Sequence, residues 1–141
     1  WENKDLEIVA TGEQYLLKEG VVQPIHDFVL ESITDGGDYT YSILDEEYVF
    51  LWISYDLENG NVEAQEKINS SVLDANKAGL PIYELTATTF EDAENFKQQH
   101  NLDIEMFTCD ATTLKTIVRS NPGLIVLKKG TVIGTIALLW R

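Results

Sequence analysis

The sequence contains one cysteine, Cys109, in 141 residues. An internal disulfide and a four-cysteine zinc site are both excluded. It is poor in positive charge: 10 Lys and Arg stand against 24 Asp and Glu, for a formal net charge of −14. So acidic a surface repels phosphate backbones and argues against nucleic acid as a partner. The histidines are His26 and His100, far apart in the chain, and no His/Asp/Glu set has metal-ligand spacing. The Gly-x-Gly-x-x-Gly and Walker phosphate loops and the Gly-x-Ser-x-Gly elbow are missing too. No metal and no cofactor are therefore expected. Long apolar runs are lacking as well. The stretch Val132 to Trp140 is broken by Thr135 and falls well short of the ~20 residues a bilayer-spanning helix needs. A chain that starts at Trp1 is expected to be processed or cut from a longer protein, so an upstream tether is compatible with it.

What is present is ordinary globular composition, 44% hydrophobic and 24% charged, in a length that suits one domain with a real core. Charge is uneven. Residues 1–47 carry 12 acids against Lys4 and Lys18, whereas no acid follows Asp110 and Lys115, Arg119, Lys128, Lys129 and Arg141 do. The two ends either neutralise each other across the fold or leave an anion-attracting patch near the chain end.

Residues 1–23 lack a clean period and read as an irregular lead-in, closed by Pro24. Ile25, Phe28, Leu30 and Ile33 mark a short strand. Asp35-Gly36-Gly37-Asp38 is a turn signal, and Tyr39 to Leu44 is expected to return the chain as the second strand of a hairpin. Tyr48 to Ile53 is a continuous apolar run, as in a strand buried on both faces. A helix is predicted over about 62–78, with Ala64, Ile68, Val72 and Ala75 on one face, Leu73 beside them, and Gly79 ending it. Pro81 to Thr86 is a second strand. Thr88 and Glu91 have capping-box spacing, opening a helix to about His100 with Phe90, Ala93 and Phe96 inward. Ile104 to Thr108 is a third strand. Asp110 offers an N-cap for a helix with Leu114, Ile117 and Val118 inward, which Pro122 stops. Gly123 to Leu127 and Thr131 to Ile136 close the chain as a hairpin around Lys128-Lys129-Gly130. Strands alternating with helices predict an α/β fold with parallel pairing and an antiparallel edge.

The segment Ser120-Asn121-Pro122-Gly123 through Lys129-Gly130 to Gly134 resembles the second half of a thioredoxin fold, in which a helix ends at a cis-proline and a strand–turn–strand follows. Pro122 is the natural candidate for that bond. Upstream, Trp52-Ile53-Ser54-Tyr55 looks like the Trp-Ala-Ser-Trp before the redox Cys-x-x-Cys of TlpA-type thioredoxins. Residues 25–44 are similar to the opening hairpin of the AhpC/TSA and TlpA groups, and the helix and strand at about 90–108 fit that group. Narrower still, "YDLE", "LTATTFEDAENFK" and "CDATTLKTIVRSNPGLIVLKKGTVIG" resemble the soluble thioredoxin-like domain of bacterial DoxX-like membrane proteins. The resemblance covers about residues 24–134, is most specific over Leu114 to Gly123, and weakens over 135–141. It implies a lead-in over 1–23 and, over 24–141, a thioredoxin-like domain with an N-terminal β-hairpin, an inserted helix–strand unit and a central mixed sheet flanked by helices.

The same resemblance implies cysteines at positions 56 and 59, where Asp56 and Asn59 stand. Dithiol exchange needs a low-pKa thiolate and a resolving thiol, and peroxidase chemistry needs a thiolate at about the same place. Ordinary redox activity is therefore expected to be lost. The leading expectation is a non-catalytic binding or accessory domain. An extended peptide would pair beside Pro122, at Arg119, Ser120, Asn121 and Pro122, faced by Tyr55 and Asp56; Lys115 and Arg119 would favour acidic partners. The alternative is a single-cysteine redox domain using Cys109, which requires an accessible thiol with a lowered pKa. Asp110 would raise that pKa and the following helix N-terminus would lower it. A third reading is a structural cap on a membrane protein. The resemblance implies a parent membrane segment and slightly favours the extracytoplasmic side.

Overall fold

A computed structural model describes residues 28–59 and 62–137. The lead-in of 1–23, Pro24, Ile25 and His26 lie outside them, as do Gly60, Asn61 and the last four residues. The elements are β1 (Glu31–Ser32), α1 (Thr40–Leu44), β2 (Val49–Ile53), α2 (Val62–Ala78), β3 (Ile82–Thr86), α3 (Phe90–Gln99), β4 (Glu105–Thr108), α4 (Ala111–Ile117), β5 (Gly123–Lys128) and β6 (Thr131–Ala137). The strands form one sheet in the order β1-β4-β3-β2-β5-β6. Pairing is parallel for β2 with β3 and β3 with β4, and antiparallel for β1 with β4, β2 with β5 and β5 with β6.

Strand alternation explains why β2 is apolar throughout, since successive side chains enter opposite cores. Val49, Leu51 and Ile53 join Leu85, Phe107, Ile125 and Leu127 on one face, with Ile43 of α1 and Leu114 of α4 against them. Trp52 joins Ile82 and Met106 on the other, beneath Ala64, Ile68 and Val72 of α2 and Ala93 of α3. Trp52, Leu51 and Ile53 are each 2% exposed or less. Helix α2 ends as expected: Gly79 takes φ +72°, and the Leu80 N–H reaches back to the Ala75 carbonyl at 2.9 Å. The β5–β6 turn places Lys129 and Gly130 at φ 49° and 80°, the mirror-turn geometry suited to a two-residue hairpin.

Three local expectations are corrected. Tyr39–Leu44 is not a returning strand: Thr40–Leu44 is a helical turn. The Asp38 carboxylate accepts from the Thr40 N–H and hydroxyl, and the turn buries Ile43 alone. Among the described residues, the opening hairpin is seen as a bridge between Glu31 and Asp38. Helix α3 is capped by Thr89, not Thr88; the Thr89 hydroxyl accepts from the Asp92 N–H at 3.2 Å. That one-residue slip leaves Phe90 exposed rather than inward. Leu73 of α2 is likewise exposed, at 58%. No helix among the described residues is long and apolar enough to cross a membrane.

Candidate functional site

Two loops meet where β2 and α4 end. The first, Ser54–Asn59, leaves the centre of the sheet toward α2. The second, Val118–Pro122, runs from α4 into β5. Asp110 sets α4 in place, its carboxylate accepting from the Thr113 N–H at 3.0 Å and the Thr113 hydroxyl at 3.3 Å. The Asn121–Pro122 peptide is cis, and Pro122 is buried. Gly123 follows because nothing larger fits: a Cβ there would lie 2.9 Å from the Cβ and Cγ1 of Val118.

Asn121 joins the loops. Its Nδ2 donates to the Asp56 carbonyl at 2.8 Å, and its Oδ1 accepts from the Asp56 N–H at 3.4 Å. One side-chain amide thus matches both main-chain groups of Asp56, as a neighbouring strand would. The Asp56 side chain turns the other way. Its Oδ2 accepts from Asn59 Nδ2 at 2.7 Å and its Oδ1 from the Asn59 N–H at 3.1 Å. The Asn59 side-chain hydrogen bond is the main cause holding the Asp56 carboxyl below its ordinary pKa, and the Lys115 ammonium adds to it. Lys115 Nζ also lies 5.6 Å from the centre of the Tyr55 ring, within cation–π range.

The structure therefore brings Tyr55, Asp56, Asn121 and Pro122 together, with Tyr55 and Asp56 half-buried. Arg119 is exposed beside them, and Ser120 is half-buried with a hydroxyl that has no partner among the described residues. Two contributors were less visible in the sequence. Asn59 locks the Asp56 carboxylate through a spacing of three that any loop could carry. Lys115 reaches Tyr55 across two loops, a contact no local pattern announces. Glu84, a lone acid inside an apolar strand, was also passed over; it is fully buried behind this loop.

Cys109 stands apart. It follows β4, with β3 lying between β4 and β2 in the sheet. It is 8% exposed, and burial pushes its thiol pKa up, against the opposing main-chain hydrogen bonds from Val29 and Asp110. The accessible, low-pKa thiol that the single-cysteine alternative requires is not what the fold provides. Among the described residues, no group of three or more His, Cys, Asp or Glu stands close enough to hold a metal. His100 packs its ring 4.3 Å from Phe96 at the end of α3.

No protein-family model matches the chain, and no curated protein matches it. Solved structures do. The exposed lipoprotein thioredoxin of Streptococcus pneumoniae superposes with a TM-score of 0.60 at 18% identity, covering 82% of this chain and 91% of its own. A thiol-disulfide oxidoreductase from Bacteroides fragilis gives 0.63 at 12% identity, over 80% and 89% of the two chains. Peroxiredoxin Q of Xanthomonas campestris gives 0.59 at 12%, over 85% and 84%. At such identities the likeness speaks for architecture alone. Together with the mixed six-stranded sheet and its flanking helices, it gives this chain a thioredoxin-like fold.

Proposed function

We propose that the domain is a non-catalytic thioredoxin-fold module that binds an extended segment of a protein partner beside Pro122. The observation that carries the reading is the Asp56–Asn59 pair. At the two positions where the sequence resemblance implies a dithiol, a carboxylate and an amide hydrogen-bond each other at 2.7 Å. Neither group exchanges disulfides, yet the loop facing Pro122 is fully built. An extended peptide would lie against Ser120, Asn121 and Pro122 as a short added strand. Lys115 and Arg119 select acidic side chains along it.

The wider setting belongs to the same proposal. The likeness of its sequence to the soluble domain of DoxX-like membrane proteins supports a role as the accessory domain of a bacterial membrane protein. The pneumococcal neighbour is an exposed lipoprotein by name, which favours the extracytoplasmic side.

The test is an NMR titration of the chain with short Asp- and Glu-rich peptides, with neutral and Lys-rich peptides alongside. Acidic peptides are expected to shift the amides of Tyr55, Asp56 and Arg119–Asn121, and N121A is expected to abolish the effect. Shifts confined to other surfaces, or none with any peptide, would refute the groove.

A further inference from the structure

Side chains alternate along β5, and the two faces of the strand fare differently. Ile125 and Leu127 are 2% and 3% exposed, in the core that α1 and α4 close. Leu124 and Val126, on the opposite face, are only half-buried. The reason is a gap in the helical layer. On that face α2 and α3 stand over Trp52 of β2, Ile82 of β3 and Met106 of β4. Among the described residues, no further helix covers β5 and β6 there. Gly134 of β6 stands opposite Val126, and a Cβ on it would meet the Val126 side chain at 3.9 Å, so the neighbouring strand adds no side chain at that step.

The flank of α2 turns this uncovered strip into a groove of about 270 Å³. Phe50, Ala75, Ala78 and Leu124 wall it, and among its lining residues Asp74 of α2 alone is charged. Covering an apolar groove removes its area from water, which is favourable.

The path of the chain singles out one occupant. β6 ends at Ala137, opposite Gly123 and one register step from Leu124. Leu138, Leu139, Trp140 and Arg141 follow. Three residues reach about 10 Å at full extension, against about 5 Å between neighbouring strands, so a chain that turns back over β5 carries Trp140 to Leu124 and the α2 wall. The one charge of the segment, Arg141, complements Asp74. Residues 1–27 lead instead into β1, at the far edge of the sheet, and carry six acids against Lys4 and Lys18. A second copy of a chain with net charge −14 would bring repulsion with it.

We propose that Leu138–Trp140 fold back across β5 and seat the Trp140 indole in the groove between α2 and β5, with Arg141 against Asp74. The segment supplies the cover that the helical layer lacks over β5. It does so on the sheet face away from α4, and it does not depend on what binds beside Pro122.

NMR on the 141-residue chain at two concentrations tests it. Nuclear Overhauser contacts are expected from the Trp140 indole protons to the methyl groups of Ala78 and Leu124, unchanged on dilution. Asp74→Lys is expected to weaken them; contacts of unchanged strength in D74K would overturn the pairing with Arg141. Removing residues 138–141 is expected to shift the methyl signals of Ala75, Ala78 and Leu124 and to leave those of Ile125 and Leu127 in place. Absence of the Trp140 contacts in the natural chain overturns the proposal. So do contacts to the groove from residues 1–27 in their place, or contacts seen only between differently labelled copies. If the shortened chain does not fold, the contacts in the natural chain decide alone.

Discussion

At the scale of single residues, Glu84 dominates the response to pH. Its pKa rises from 4.5 to about 7 in the fold because burial penalises the charged form. As pH rises, the unfolded chain therefore gives up this proton first. Stability is fully present below the ordinary glutamate range, is lost as pH approaches 7, and does not recover above it. The loss is on the order of 3 kcal/mol. E84Q, which cannot ionise, should lose several degrees less in thermal midpoint between pH 5 and 8 than the natural chain, measured by circular dichroism. Two further residues are tied to packing. Leu51 is fully buried between β3 and β5, and Leu51→Ala should cost about 2–5 kcal/mol in urea unfolding. Gly123→Ala must push Val118 aside, a residue 3% exposed; a cost of about 1–3 kcal/mol is expected, with the 119–122 loop displaced in its NMR shifts.

At the scale of elements, the sequence was readable wherever burial and periodicity agreed. β2, β3 and β5 announced themselves as apolar runs, α2 by its Ala64-Ile68-Val72-Ala75 stripe, and α4 by Asp110. The α3 cap was ambiguous for a concrete reason. Thr88 and Thr89 each have an acid three residues on, and both frames satisfy the same rule. The fold chooses Thr89, because that frame turns Ala93 into the core and leaves Phe90 at the rim. Thr89→Ala is expected to cost about 1 kcal/mol and Thr88→Ala less, as read from denaturation midpoints. α1 was illegible because one buried residue in five, Ile43, makes no period. The candidate site was half legible. Tyr55, Asp56, Asn121 and Pro122 followed from a family resemblance, whereas the Asp56–Asn59 pair has a spacing any loop could carry and the Lys115–Tyr55 contact arises only when separate segments meet. Glu84 was hidden by its strand, since an acid amid Ile82, Tyr83 and Leu85 reads equally well as an outward-facing residue.

At the scale of the whole molecule, the scaffold keeps the architecture of its oxidoreductase neighbours without a thiol at the loop. Restoring one is a direct test of that correspondence. The double variant D56C/N59C should form an intramolecular disulfide and reduce insulin in the presence of dithiothreitol faster than the natural chain does. A variant whose two thiols stay apart under mild oxidation would show that positions 56 and 59 are not the counterparts of a dithiol.

The Asn121 bridge carries a last consequence. It ties together residues 65 apart in sequence, and closing so long a loop carries an entropic cost that the remaining contacts must offset. The rims of the groove consequently exist only when both halves of the domain have assembled. No proteolytic fragment holding one rim would retain the surface, and a molecule gripping both would report, by its mere attachment, that the chain had reached its finished form.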